Sequence, residues 1–180
     1  NNNMKKIIAA ALLASAFATP AFAEGNSTYL LAEYGSATYT NMSPFKDPGK
    51  LGLGFGYMFS NTAGIELGYT MFGDSTIVGN GQATLAASSF HPALVATLPV
   101  TPQFDFLGKI GLAMNKADLT STVGITAATS KTSLYFAAGA QYNVSPQVGL
   151  RVIYENFGDF ESGSPAMAAS AITGGVTLKF

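Results

Sequence analysis

Apolar side chains recur at every second residue through most of this chain, and the positions between them are small and sparsely charged rather than ionic. A period of two belongs to a β-strand, whose successive side chains point to opposite faces. Leu51, Leu53, Phe55, Tyr57 and Phe59 project one way, Gly52, Gly54, Gly56 and Met58 the other. Ile65, Leu67, Tyr69 and Met71 alternate with Glu66, Gly68 and Thr70, and Phe104, Phe106, Ile110 and Leu112 with Asp105, Lys109 and Gly111. Near the end, Val148, Leu150, Val152 and Tyr154 oppose Arg151 and Glu155, and Val176, Leu178 and Phe180 oppose Thr177 and Lys179. A soluble sandwich also alternates, but it turns a heavily charged face to water. Here the greasy face calls for lipid, which predicts a closed cylinder with an apolar outside and a small, polar inside.

Composition agrees. Charged residues make up 11% of the chain, against about 25% in soluble globular domains. Net charge is −1 with the basic residues scattered, which leaves no electrostatic footprint for nucleic acid. The absence of Cys removes disulfides, thiolate metal sites and Cys nucleophiles. At the N-terminus, Asn1 to Asn3 read as residues upstream of the natural start. Met4 is then followed by Lys5, Lys6, an apolar run from Ile7 to Ala18, and Ala21-Phe22-Ala23. The run is too short to span a bilayer, and the small-x-small ending marks a cleavage site. The expectation is that residues 1–23 are upstream residues plus a cleavable signal peptide, and that 24–180 form one barrel domain. A retained anchor is the other reading, and both length and flanks favour export.

Strands are predicted at 27–39, 50–59, 64–72, 83–97, 104–115, 130–143, 148–157 and 168–180. That makes an all-β, eight-stranded antiparallel up-and-down transmembrane β-barrel, with both termini on one side. Closure satisfies every backbone donor and acceptor, each of which would cost several kcal/mol if orphaned in hydrocarbon. The short links 60–63, 98–103 and 144–147 read as periplasmic turns, and the longer ones around 41–49, 73–82, 116–129 and 158–167 as extracellular loops. Aromatic girdles are expected from Phe59, Phe104, Tyr142 and Phe180 at the periplasmic rim and from Tyr39, Phe72 and Phe157 at the outer rim. Pro92 lies inside the fourth strand, where it cannot donate to the ladder, and predicts a bulge.

Three segments carry a resemblance. GIELGYTMFGDS resembles the third strand of the OmpA-type barrels, GAQYNVSPQVGLRVIYENFGD their sixth strand, turn and seventh strand, and TLKF their terminal Phe-ended assembly signal, here Phe180. The likeness covers the mature chain and extends to small relatives such as the Neisserial surface protein. It implies a non-enzymatic protein of the Gram-negative outer membrane with structural, adhesive or minor pore roles. The implied partners are outer-membrane lipid and lipopolysaccharide, the barrel assembly machinery and periplasmic chaperones, with the extracellular loops open to host or surface ligands. The peptidoglycan-binding domain of longer members has no counterpart in this sequence.

Eight strands enclose a space that side chains fill, so a broad pore is not expected. Alternation turns Glu66, Lys109, Arg151 and Glu155 inward, where the resemblance implies a lumenal cluster of acids and bases in which Glu66 pairs with Arg151. Thr97 and Gln141 stand where the family pattern places a lumenal Lys and Glu, so one acid and one base have gone together. The lumenal polar cluster is therefore expected to comprise Glu66, Lys109, Gln141, Arg151 and Glu155. It serves either as a gate for water or small ions or, as the small lumen favours, as a satisfied polar plug. A hydrophobic-solute channel is disfavoured by the same charges.

The alternative function is a lipid A-modifying barrel enzyme of the deacylase kind, because His91 shares a face with Ser89. Residues two apart on one strand stand too far apart for an easy nucleophile–base bond, and no acid is placed beside them, so no catalytic residue is assigned. No phosphate loop, dinucleotide fingerprint or metal spacing appears, and neither a cofactor nor a metal is expected. Asp159 and Glu161 read as solvated loop charge.

Overall fold

The computed structural model describes residues 26–41, 47–76, 83–121, 126–162 and 166–180. The predicted signal peptide and its cleavage site lie outside them, as do the tips of the four long loops. The strands are β1 (Ser27–Thr40), β2 (Gly49–Met58), β3 (Ala63–Thr76), β4 (Ala83–Pro99), β5 (Phe104–Ser121), β6 (Thr126–Asn143), β7 (Val148–Asp159) and β8 (Ala168–Lys179). Each pairs antiparallel with its neighbour in sequence, and β8 closes on β1 from Tyr29 opposite Lys179 to Thr40 opposite Ala168. Thr28 and Phe180 exchange backbone hydrogen bonds of 3.2 and 3.0 Å, so the ladder is sewn shut to its last residue. The all-β, eight-stranded up-and-down barrel anticipated from the alternation is the fold.

The two faces separate as the pattern requires. Leu53, Leu67, Leu94, Ile110, Val152 and Ile172 are exposed on the outside, while Tyr29, Glu66, Lys109, Tyr135 and Glu155 are buried inside. In the turns, hydroxyls take backbone N–H groups that no strand partner reaches. Ala63 N donates to Ser60 Oγ at 3.0 Å and Val148 N to Ser145 Oγ at 3.0 Å.

Three expectations are corrected. Strands β3, β5 and β6 run further outward than predicted, to Thr76, to Ser121 and from Thr126. The Thr-rich stretches read as loop are β-branched and continue the pleat. Tyr39, Phe72 and Phe157 are not an outer girdle, because all three are buried inside the barrel mouth. The exposed aromatics towards that end are Tyr34, Tyr69, Phe90, Phe136 and Tyr154. Pro92 does not make a bulge. It pairs with Leu67 of β3 in unbroken register, whereas pairing with β5 stops at Phe90–Met114 and resumes, unshifted, at Ala93–Gly111. The missing N–H therefore interrupts one ladder without inserting a residue. The bulges occur between Phe72 and Ser75 and between Asn156 and Gly158. At the second, Gly158 adopts φ 65° and its N–H donates to Asn156 Oδ1 at 3.0 Å.

Candidate functional site

The lumen is filled in layers. In the periplasmic half of the strands Glu66, on β3, accepts three bonds from three other strands: from Lys109 Nζ at 2.5 Å, from Tyr29 Oη at 2.6 Å and from Arg151 Nη1 at 3.0 Å. The Arg151 guanidinium also lies 5.3 Å from the Tyr29 ring centre and donates to Gln141 Oε1 through Nε and Nη2 at 3.3 and 3.1 Å. Glu66, Lys109, Gln141 and Arg151 are thus one connected group.

Glu155 belongs to a second group. Its carboxylate accepts from Lys50 Nζ and, at 2.6 Å, from Tyr135 Oη, while Lys50 also donates to Glu33 at 3.1 Å. Sequence reasoning missed Glu33, Lys50, Tyr29 and Tyr135. The signal was parity: Lys50 continues the even-numbered face of Gly52 and Gly54, and Glu33 sits on the odd-numbered face with Tyr29 and Leu31. Three carboxylates, Glu33, Glu66 and Glu155, meet three cations, Lys50, Lys109 and Arg151, all buried. That neutrality matters because a lone charge in such a place would cost several kcal/mol. The two groups share no direct ion pair among the described residues.

Above them sits an aromatic layer. Phe72 packs edge-on against Phe157 and Phe160 at centroid distances of 5.2 and 5.6 Å, and Tyr39 lies 5.9 Å from Phe72. Lys50 Nζ stands 5.3 Å from the Phe157 ring centre, joining this layer to the ions below. His91 is stacked on Tyr135 at 4.6 Å and shares a hydrogen bond of 3.1 Å with Thr70. Ser89 Oγ is buried without a hydrogen-bond partner. The Ser–His pair that a deacylase would need is therefore not formed, and both side chains are sealed inside the wall.

Below the ions the lumen opens to the periplasmic end as a vestibule of about 320 Å³, lined by Thr97, Asp105, Asn143 and Lys179 among others. At the outer end Asp159 pairs with Lys131 at 3.0 Å, and Glu161 accepts the Met167 N–H at 3.3 Å. Among the described residues no group of acids and histidines is arranged to hold a metal. No helix among them is long and apolar enough to cross a membrane, which says nothing of a chain that crosses with strands.

The sequence of *Escherichia coli* O157:H7 outer membrane protein A is 26% identical over 98% of this chain, and the chain spans 55% of that relative's length. Among solved structures, Neisserial surface protein A superposes with a TM-score of 0.70 at 18% identity, over 87% of this chain and all of that one. The *Pseudomonas aeruginosa* OprF N-terminal barrel gives 0.65 at 14%, over 88% and 100%. The attachment invasion locus protein Ail of *Yersinia pestis* gives 0.63 at 19–20%, over 88% and 100%, and has also been solved with the heparin analogue sucrose octasulfate. At these identities the structural likeness speaks for the fold. The model of the outer membrane protein beta-barrel domain matches residues 9–180. A lipid-facing cylinder of eight strands and a family match over nearly the whole sequence place the protein in the outer membrane of a Gram-negative bacterium, and the chain belongs to the outer membrane protein beta-barrel family.

Proposed function

We propose that this chain is a non-enzymatic surface barrel that displays its outer hairpins for contact with other surfaces or ligands, while its lumen stays closed to solutes. The observation carrying the proposal is that the lumen is occupied twice over, by the ion-pair groups and by the Tyr39–Phe72–Phe157–Phe160 layer, while β5 and β6 continue well beyond the wall. A tilted strand needs about 11 residues to cross the hydrocarbon, so strands of 18 residues carry their hairpin roughly 20 Å further. Loops held on a rigid scaffold are where such proteins carry recognition.

Partner chemistry is constrained by charge. The outer segments hold Asp47, Asp74, Asp118, Asp159 and Glu161 against Lys46, Lys116 and Lys131. A sulfated polyanion such as the one bound to Ail would meet repulsion here, so a neutral or cationic surface fits better. In the same reading residues 1–23 direct export and are removed, periplasmic chaperones and the assembly machinery recognise the chain through its Phe180 end, and lipid and lipopolysaccharide surround the wall.

The test pairs two measurements on one set of proteins. Cells displaying the barrel are compared with cells in which residues 117–129 are replaced by a short turn, with folding checked by heat-modifiable gel mobility. Loss of surface binding with the barrel intact, together with no porin-sized conductance in planar bilayers, is the expected result. Binding that ignores the hairpin, or a large steady conductance, would overturn the proposal. Altered lipid A acylation in cells carrying the barrel would favour the enzyme reading instead.

A further inference from the structure

The periplasmic vestibule holds two opposite charges that do not meet. Asn143 stands between them: its Nδ2 donates to Asp105 Oδ2 at 2.7 Å and its Oδ1 accepts from Lys179 Nζ at 3.1 Å. Gln141 Nε2 also donates to Asn143 Oδ1, at 2.8 Å, which fixes the amide's orientation from a third side. No direct ion pair joins Asp105 to Lys179, although both line the same cavity. In the layers above, every buried cation reaches a carboxylate directly. The mouth therefore departs from the rule that organises the rest of the lumen.

Each of the two charges keeps unused capacity. An ammonium has three N–H donors and a carboxylate several acceptor sites, and Asn143 uses one on each. Between and above them the cavity is walled by Tyr29, Val95 and Leu107, apolar surfaces already withdrawn from solvent. The volume, about 320 Å³, is that of a site for a small solute. It is open at the periplasmic end and closed above by Arg151, whose donors go to Glu66 and Gln141. A ligand could enter from below and could not pass.

We infer that the vestibule is a periplasm-facing binding site for a small zwitterion with an apolar middle, such as a free amino acid or a dipeptide. The ligand's ammonium sits on Asp105, its carboxylate on Lys179, and its side chain against Val95 and Leu107. The site lies at the opposite end from the outer hairpins and does not depend on the surface role proposed above.

The probe is the dipeptide Ala-Leu, titrated into folded full-length barrel in lipid nanodiscs while the side-chain amide resonances of Asn143 and Gln141 are followed. Saturable shifts are expected with Ala-Leu. Blocking either end, as N-acetyl-Ala-Leu or as Ala-Leu amide, is expected to weaken binding by about tenfold or more, the scale of one lost charge-assisted hydrogen bond. Asp105→Asn should abolish the preference for a free amine, and Lys179→Met the preference for a free carboxylate. The blocked-ligand comparison is made on the unaltered protein, so it stands even if a variant fails to fold. Absence of saturable shifts, or blocked dipeptides binding as well as the free one, would overturn the inference.

Discussion

At the scale of single residues, the buried charges are unequal in how replaceable their partners are. Glu66 is paired by both Lys109 and Arg151, so losing one cation leaves another in place. Lys50 is the one cation that reaches Glu33 and Glu155 among the described ion pairs, and the remaining partners of Glu155 are the neutral Tyr135 and Thr173 hydroxyls. Breaking a buried pair from one side costs about 3–5 kcal/mol, because the surviving charge stays desolvated. Lys50→Met is therefore expected to lower barrel stability by about that amount, and by clearly more than Lys109→Met. Urea unfolding in micelles measures both, and equal losses would contradict the ranking.

Space is as tightly allotted as charge. A Cβ on Gly68 would lie 2.1 Å from the His91 ring, which Tyr135 and Phe157 already hold in place, whereas a Cβ on Gly174 would meet nothing within 4 Å. Gly68→Ala is expected to cost about 1–3 kcal/mol, as overpacking does, while Gly174→Ala should leave the unfolding midpoint nearly unchanged. Side-chain alternation made Gly68 recognisable as inward, but the ring it accommodates was not legible. Which residue of β4 faces Gly68 depends on a register that one sequence does not state.

At the scale of elements, the strands were readable because lipid on one side and a filled lumen on the other impose opposite demands on neighbouring residues. That contrast fades where the wall leaves the membrane. Beyond Asn115 the alternation inverts, with Lys116 and Asp118 outward and Ala117 and Leu119 inward, before a run of Thr and Ser, so the apolar-outward signal ends where hydrocarbon contact ends although the strand goes on. For the inward aromatics parity outranks composition: Tyr39, Phe72 and Phe157 have the composition of a girdle, but Phe72 shares the face of Glu66 and Thr70, Phe157 that of Arg151 and Glu155, and Tyr39 that of Tyr29 and Glu33. Pro92 shows the limit of a local rule. Proline lacks an N–H, but β3 pairs with it unbroken and the loss falls on the β5 side. Restoring the donor by Pro92→Val is expected to extend that ladder and leave stability unchanged or higher by about 1 kcal/mol. Hydrogen exchange at Leu112 and Ala113 provides the check, and faster exchange in the variant would show that the interruption has another cause.

At the scale of the whole molecule, the closed lumen proposed above rests on two layers of different chemistry. Ion pairs resist solute passage because opening them separates charges in a confined, poorly solvated space. The aromatic layer resists because its rings pack edge to face and leave little room for hydrated ions. The layers lie at different heights and touch through Lys50 and Phe157, so removing one leaves the other standing. The double variant Phe72→Ala with Phe157→Ala is accordingly expected to keep the closed conductance of the parent barrel, and so is Arg151→Ala, though with a lower unfolding midpoint. Adding Arg151→Ala to the double variant leaves the Lys109–Glu66 and Lys50–Glu33–Glu155 pairs in place, so it too is expected to stay closed to small ions in planar bilayers. A barrel that conducts after loss of the aromatics alone would mean that the ion-pair groups rearrange within the lumen and do not form a barrier of their own.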